Sequence, residues 1–471
     1  MNVAPASDIP SRLDRLPWSR WHWRVVIALG VAWVLDGLEV TLVGSIGGVL
    51  ERPDTLGLDA SQVGWTGSLY IAGAVLGALL FGRLTDRLGR KKLFMVTLAV
   101  YMAATLATAF ATDFLFLALC RFVTGLGIGG EYAAINSAID ELIPARVRGR
   151  VNLIINASFW IGAALGAGLS LVILDEHVLG PAMGWRVCFL LGAVLAVAII
   201  LVRRHVPESP RWLMMHGHHA RAEQVVADIE AQVAAEHGAL PPPEPAHARR
   251  AGSGMMGLRE IGIVLLHRYR ARSLMVSLMM VAQAFVYNAI FFTYSLVLTR
   301  FYQVPDNRVA LYIFPFALGN VLGPVLLGHL FDSIGRRRMI GATYLLAGIG
   351  LAATAWAFNA GLLTALTLAL CWSAVFFVAS AAASSAYLTA SEVFPLQMRA
   401  MAISVFYAVG TGVGGFIAPV LLGWLIASGD RHAVAAGYAL GAVLAILAGL
   451  CALRFAVDAE RRGLEEVAEL E

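Results

Sequence analysis

Apolar residues run through this chain in long blocks, broken at short intervals by clusters of charge. The blocks stand at about 24–50, 61–83, 93–112, 114–138, 150–174, 184–203, 272–299, 308–331, 339–358, 361–389, 398–427 and 433–456. Each reaches the roughly 20 residues that an α-helix needs to cross a bilayer. A backbone in hydrocarbon must satisfy its own hydrogen bonds, so the blocks predict helices. The short alternating segments of a membrane β-barrel are absent. The pattern therefore predicts an all-α polytopic membrane protein with twelve transmembrane helices. The first block is expected to remain as a span rather than be cleaved, because it is long and carries Asp36 and Glu39 in its middle.

One polar stretch follows the sixth block and divides the spans six and six. The expected organisation is an N-terminal six-helix bundle over 1–204, a central loop over 205–271, a C-terminal six-helix bundle over 272–457 and a tail over 458–471. An amphipathic run inside the loop, Ala220–Ala235, is followed by Pro241-Pro242-Pro243-Glu244-Pro245, which no helix crosses. Composition supports lipid as the main solvent: 59% of the 471 residues are hydrophobic and 14% are charged, against about 45–50% and 25% in soluble domains. A net charge of +4 from 35 basic and 31 acidic residues is too balanced for a nucleic-acid surface. The basic residues gather on connections of one parity, at Arg83, Arg87, Arg90, Lys91 and Lys92, at Arg146, Arg148 and Arg150, and at Arg336, Arg337 and Arg338. The positive-inside rule places those connections, the central loop and both termini in the cytoplasm of a cell whose inner membrane holds the chain.

The chain also repeats itself. Gly82-Arg83-Leu84-Thr85-Asp86-Arg87-Leu88-Gly89-Arg90-Lys91-Lys92 follows the second block, and Gly328-His329-Leu330-Phe331-Asp332-Ser333-Ile334-Gly335-Arg336-Arg337-Arg338 follows the eighth. Glu141-Leu142-Ile143-Pro144 with Arg148 follows the fourth, and Glu392-Val393-Phe394-Pro395 with Arg399 follows the tenth. Matches at equivalent places in both halves indicate a duplicated six-helix unit. Two pseudo-symmetric bundles with a site between them near the midplane form a transporter architecture.

Charges at membrane depth need a reason, since each costs at least ~2.5–3.5 kcal/mol on insertion scales. Asp36 lies roughly 18 Å from the cytoplasmic end of the first span, and Arg121 roughly 10 Å below the outer end of the fourth, at ~1.5 Å per residue. The two arrive at similar depth, so a pair between them is one expectation and an Arg121 that meets a substrate carboxylate is the other. Glu39 shares the face of Asp36, and Glu131 lies ten residues beyond Arg121. Desolvation favours a protonated carboxyl and a nearby arginine favours its anion. Asp36, Glu39, Arg121 and Glu131 are therefore the candidates for proton coupling, with a static ion pair as the competing role. At the cytoplasmic helix ends Gly82, Asp86, Arg90, Glu141, Arg148, Asp332, Arg336, Glu392 and Arg399 are expected to make a gate whose salt bridges break on opening. Polar and aromatic residues inside spans are expected to line the substrate cavity: Asn156 and Trp160 in the fifth, Gln283, Tyr287, Asn288 and Tyr294 in the seventh, and Tyr387 in the tenth. Pairs of small residues four apart (Gly125 and Gly129, Gly44 and Gly48, Gly73 and Gly77, Gly162 and Gly166, Gly410 and Gly414) suit close approach of helix backbones.

Gly82-x-Leu84-x-Asp86-Arg87-x-Gly89-Arg90-Lys91-Lys92 resembles the loop between helices two and three of the major facilitator superfamily. Arg121-Phe-Val-Thr-Gly125-Leu-Gly127-Ile-Gly129-Gly130-Glu131 resembles its fourth-helix motif. Pro207-Glu208-Ser209-Pro210-Arg211-Trp212-Leu213 is similar to the sugar-porter and related metabolite-transporter branch, and Asp36-Gly37-Leu38-Glu39 to the Asp-Gly-x-Asp motif of aromatic-acid/proton symporters. An acid in helix one opposite an arginine in helix four also resembles the coupling pair of proton-driven sugar porters. The run Ala381–Glu392 departs from the Gly-Pro pair and tryptophans of sugar porters and resembles organic-ion and aromatic-acid transporters. The resemblance implies a secondary transporter that moves a small organic metabolite (organic acid or sugar-like solute) by alternating access, with protons moving in the same direction.

A proton-driven exporter of drugs or organic cations is the alternative, and a membrane sensor without flux a more distant one. The expected partners are a small-molecule substrate, protons and the lipid bilayer, with no nucleic acid and no nucleotide, acting as a monomer. Lys91 and Lys92 follow Arg90 and Lys91 rather than a glycine, which excludes a Walker A loop. No cofactor, metal or enzymatic activity is expected.

Overall fold

The computed structural model describes residues 9–50, 52–58, 60–175, 177–203, 207–242, 258–291, 293–304, 310–395, 398–459 and 467. Every regular element among them is helical. The first half contains α1 (Ile9–Asp14), α2 (Arg20–Leu50), α3 (Ala60–Leu88), α4 (Arg90–Thr108), α5 (Phe114–Leu142), α6 (Arg148–Ile173) and α7 (Gly180–Arg203). The central segment adds α8 (Pro210–Met215), α9 (His219–His237) and α10 (Leu258–Ile263). The second half contains α11 (Arg270–Phe291), α12 (Tyr294–Tyr302), α13 (Ile313–Ser333), α14 (Arg336–Asn359), α15 (Ala365–Glu392), α16 (Arg399–Val409), α17 (Phe416–Ala427) and α18 (Arg431–Phe455). Eleven stretches among the described residues are long and apolar enough to cross a membrane, and α7 adds a shorter apolar segment, Ala182–Leu195. Large apolar side chains such as Leu119, Val194, Leu346, Trp356, Val420 and Trp424 are exposed around the outside. That distribution suits a lipid-facing surface.

Two blocks expected as single helices are interrupted. The seventh is interrupted between α11 and α12, where the Thr293 hydroxyl turns back to the Ala289 carbonyl and Asn288 Nδ2 to that of Ala284. Such i−4 back-bonding competes with the helical ladder and bends it. The eleventh passes through a π-helical segment, Gly410–Gly415, between α16 and α17. Gly410 there lies against the Met280 backbone and Gly414 against that of Val281. Breaks of this kind cluster at functional sites, and both fall beside the cavity described below.

Small residues set the helix spacing in each half. A Cβ on Gly37 would run into the Phe159 carbonyl, and one on Gly162 into that of Val34, so α2 and α6 touch backbone to backbone. Gly73 and Gly77 meet the backbone of α5 at Phe122 and Leu126, while Gly125 and Gly129 meet that of α3 at Tyr70 and Ala74. The packing of Gly44 and Gly48 lies outside what the structure describes. The duplicated loops share their backbone as well as their sequence: Gly89 has φ 95° and Gly335 has φ 116°, each directly before a helix. Only glycine takes that conformation readily.

At the end of the bundle that carries the duplicated basic loops, α1, α8 and α9 share one apolar core with the feet of α2, α5 and α6. It holds Ile9, Leu13, Trp212, Val226, Ile229 and Ile139. Arg12 clamps α1 to α9 through Glu223 at 2.6 Å and Glu230 at 2.7 Å, and Arg15 also reaches Glu230.

Candidate functional site

A cavity of about 210 Å³ lies between the two halves. Trp33 and Val40 of α2, Tyr70, Ile71 and Ala74 of α3, and Asn156, Phe159 and Trp160 of α6 form one wall. Gln283, Ala284, Tyr287, Asn288 and Phe291 of α11, Ser380, Ala383, Ser384 and Tyr387 of α15, Tyr407 of α16 and Thr411 of the π segment form the other. None of these lining residues carries a charge. Aromatic rings dominate: Trp160 lies 5.1 Å from Phe316, 5.5 Å from Phe291 and 5.7 Å from Tyr287, centroid to centroid. Tyr287 meets Phe376 edge-on at 4.7 Å.

The candidate cavity residues Asn156, Trp160, Gln283, Tyr287, Asn288 and Tyr387 all stand on this wall. Tyr294 does not. The end of α11 at Phe291 leaves it beyond the cavity in α12, where it packs against the core of the second half. Trp33, Tyr70, Phe159, Tyr407 and Thr411 line the cavity without having been singled out from the sequence. The rule that picked Tyr287, an aromatic hydroxyl inside a span, would have found Tyr70 and Tyr407 as well. Trp33 and Phe159 look in sequence like any apolar packing residue.

Next to the cavity the buried charges are arranged differently from the expected Asp36–Arg121 pair. Arg121 Nη1 bonds Glu39 Oε1 at 2.6 Å, with both side chains only 2–3% exposed. Three residues of helix turn the two acids of α2 slightly apart, and Glu39 takes the guanidinium. Asp36 is buried one turn further along and acts electrostatically on the same two phenols, Tyr70 and Tyr101, as Glu39 does. The Tyr70 ring lies 4.7 Å from the Arg121 guanidinium and also faces the cavity, so it stands between the charged pair and the solute space. Glu131 is buried but lies ten residues, or ~15 Å, further along α5 and is not gathered with the pair.

At the basic end the halves are locked together. Arg336 bonds Glu392 at 3.1 Å and Asp332 at 2.8 Å within the second half. From the first half, Arg148 approaches Glu392 at 4.0 Å and the Arg150 backbone N–H donates to Asp332 at 2.8 Å. Gly149 is packed on the Arg336 guanidinium, so a side chain there would displace it. Arg399 is buried and donates to the Phe394 carbonyl at 3.4 Å, and Glu141 is buried nearby in sequence to the Arg148 turn. The backbone of Gly82 is buried in α3, whereas the side chains of Asp86 and Arg90 lie outside the described residues. On the other side of Arg148, Asp14 lies at 3.5 Å and also approaches Arg211 at 3.7 Å, which ties α1 into the same network.

The family model described as "Sugar (and other) transporter" matches residues 41–470. The niacin transporter NiaP of Acinetobacter baylyi is 29% identical over 426 residues, covering 90% of this chain and 91% of that protein. The 4-hydroxybenzoate transporter PcaK of Pseudomonas putida is 28% identical over 414 residues, covering 87% of each. The structure of the proton:xylose symporter XylE bound to 6-bromo-6-deoxy-D-glucose superposes with a TM-score of 0.77 at 20% identity, over 95% of this chain and 98% of that one.

Proposed function

The chain belongs to the sugar (and other) transporter family and is a membrane-spanning secondary transporter of a small organic solute, from which we propose that it takes up a small aromatic acid together with protons. The observation that carries this reading is the cavity itself. Its volume of about 210 Å³ is smaller than the ~300–1,000 Å³ of drug-sized sites. Its wall of rings suits a single planar ring through offset and edge-to-face contacts. Relatives named for niacin and 4-hydroxybenzoate support an aromatic acid ahead of a sugar. Export of organic cations finds less support, because Asp36, Glu39 and Glu131 are not on the described cavity wall.

Asp36, Glu39 and Arg121 form the coupling unit in this reading. The pair is neutral while Glu39 is ionised, so proton uptake or release in the unit changes the charge buried beside Tyr70. Opening toward the basic end requires the Arg336–Glu392–Arg148 bridges and the Arg150–Asp332 bond to break, which makes that contact the two-state element. The basic end faces the cytoplasm of a bacterial inner membrane, with both termini on that side. The bundle works as a monomer built from 1–204 and 272–457.

Purified protein in proteoliposomes tests the reading. Adding an aromatic monocarboxylate should drive proton influx, and Asp36→Asn should abolish that influx while leaving solute counterflow. Solute that crosses with no proton signal in the native protein would make it a uniporter or exchanger instead.

A further inference from the structure

At Tyr287, Ser380 and Asn156 the hydrogen-bond polarity of the cavity wall is fixed by two asparagines that do not themselves line it. In the second half Asn320 of α13 is fully buried, and its Nδ2 donates to the Phe316 carbonyl at 2.9 Å. A carbonyl only accepts, so this bond fixes which end of the amide carries nitrogen. Asn320 Oδ1 therefore faces Tyr287, whose hydroxyl donates to it at 2.6 Å. The Ser380 hydroxyl donates to the Asn320 backbone carbonyl at 2.7 Å. Each hydroxyl has one proton, so Tyr287 and Ser380 both turn their protons into the protein and have only lone pairs left for the cavity.

The first half repeats the arrangement. Asn156 Nδ2 donates to the Asn152 carbonyl at 2.8 Å and to Asn152 Oδ1 at 2.9 Å, which occupies the amino group and leaves Oδ1 as its free polar atom. Asn152 is fully buried and absent from the wall. Asn288 Nδ2 likewise donates to the Ala284 carbonyl at 2.6 Å.

We propose that Asn320 and Asn152 are positioning residues that make this cavity select a solute by a hydrogen-bond donor attached to its ring, a hydroxyl or a primary amide, held between Asn156 on one half and Tyr287 with Ser380 on the other. The proposal rests on the cavity being the solute site and narrows the solute class. A primary amide, with two N–H protons, bonds to both halves at once and draws them together, whereas a hydroxyl, with one, donates to a single half. A methyl ether or a dialkylamide of the same shape brings no donor and leaves buried acceptors without hydrogen, the situation in which polar sites discriminate most strongly.

The test measures affinities of the purified full-length protein for two matched pairs, 4-hydroxybenzoate with 4-methoxybenzoate and benzamide with N,N-dimethylbenzamide. The donor-bearing member should bind at least ~10-fold more tightly, the value of one net hydrogen bond near 1.4 kcal/mol. Asn320→Leu frees the Tyr287 hydroxyl to turn and donate, so the ratio should collapse while affinity for the methoxy compound is kept or improved. General loosening would weaken both members alike and leave the ratio unchanged. Tyr287→Phe, which disturbs no buried amide, should also lower the ratio and serves if Asn320→Leu does not fold. Equal binding within both pairs in the native protein, or an unchanged ratio in the variants that fold, overturns the proposal. Binding of the amide pair alone, with the donor preference intact, would instead overturn the acid in the proposed function and leave the polarity standing. Binding of no probe at all would overturn both.

Discussion

Removing either partner of the Glu39–Arg121 pair strands the other as a buried charge. The two lie 2.6 Å apart with side chains 2–3% exposed, and breaking such a pair costs about 3–5 kcal/mol. At ~2.1 cal/mol/K of unfolding entropy per residue, a chain of 471 residues loses about 1 °C of midpoint per kcal/mol. Glu39→Gln and Arg121→Gln should therefore each lower the thermal midpoint in detergent by ~3–5 °C, and by more if the helices stay folded and less entropy is released. The double variant restores neutrality, and its loss should fall well short of the sum of the singles. Fluorescence-monitored unfolding of the four proteins reads the cycle, and counterflow in proteoliposomes checks that the variants still bind solute. Additive losses would refute the argument, since they would mean that the two charges do not depend on each other.

Two further outcomes follow from named contacts. Arg336 is held by Glu392 and Asp332 and is packed beneath Gly149, so Arg336→Met should unlock the basic end; a cysteine placed at Leu153, which is fully buried against Gly328 of the other half, should then be labelled at least several-fold faster by a membrane-impermeant maleimide in inside-out vesicles, and unchanged labelling would contradict the gate. For Glu230, burial acts to raise its carboxyl, but the bonds and charges of Arg12 and Arg15 together outweigh it and hold the group below its ordinary value of 4.5. A depressed carboxyl stabilises the docking of α1 fully above 4.5 and loses that contribution as pH falls through its folded value, so proteolysis near residue 15 should be constant between pH 7 and 5, rise below 4.5, and be elevated already at pH 7 in Glu230→Gln.

The apolar blocks could be read from the sequence as helices because hydrocarbon leaves a backbone almost no choice but the helix, although the interruptions in the seventh and eleventh could not. Block 24–50 is realised as Arg20–Leu50, and 433–456 as Arg431–Phe455. The duplicated Gly-x-x-x-Asp-x-x-Gly-Arg loops were equally visible, because the positive φ at Gly89 and Gly335 demands glycine at those two places. Glycine pairs such as Gly73 and Gly77 announced close packing, though not the carbonyls of Phe122 and Leu126 that they touch.

Partner choice belonged to the tertiary structure. Counting residues put Asp36 and Arg121 at similar depth, but helix rotation, which no count supplies, gave Arg121 to Glu39. Tyr294 shared the polar-aromatic signature of Tyr287, yet the interruption between Phe291 and Tyr294 sent it elsewhere. The orientation of Tyr287 and Asn156 hydrogens was beyond any sequence reading, since it depends on where Asn320 and Asn152 stand on other faces and turns. Periodicity and hydropathy are properties of a segment and can be read along it. Pairing, hydrogen-bond direction and the contacts that join the halves at the basic end depend on the rotation and spacing of helices distant in sequence, which only the packed bundle fixes.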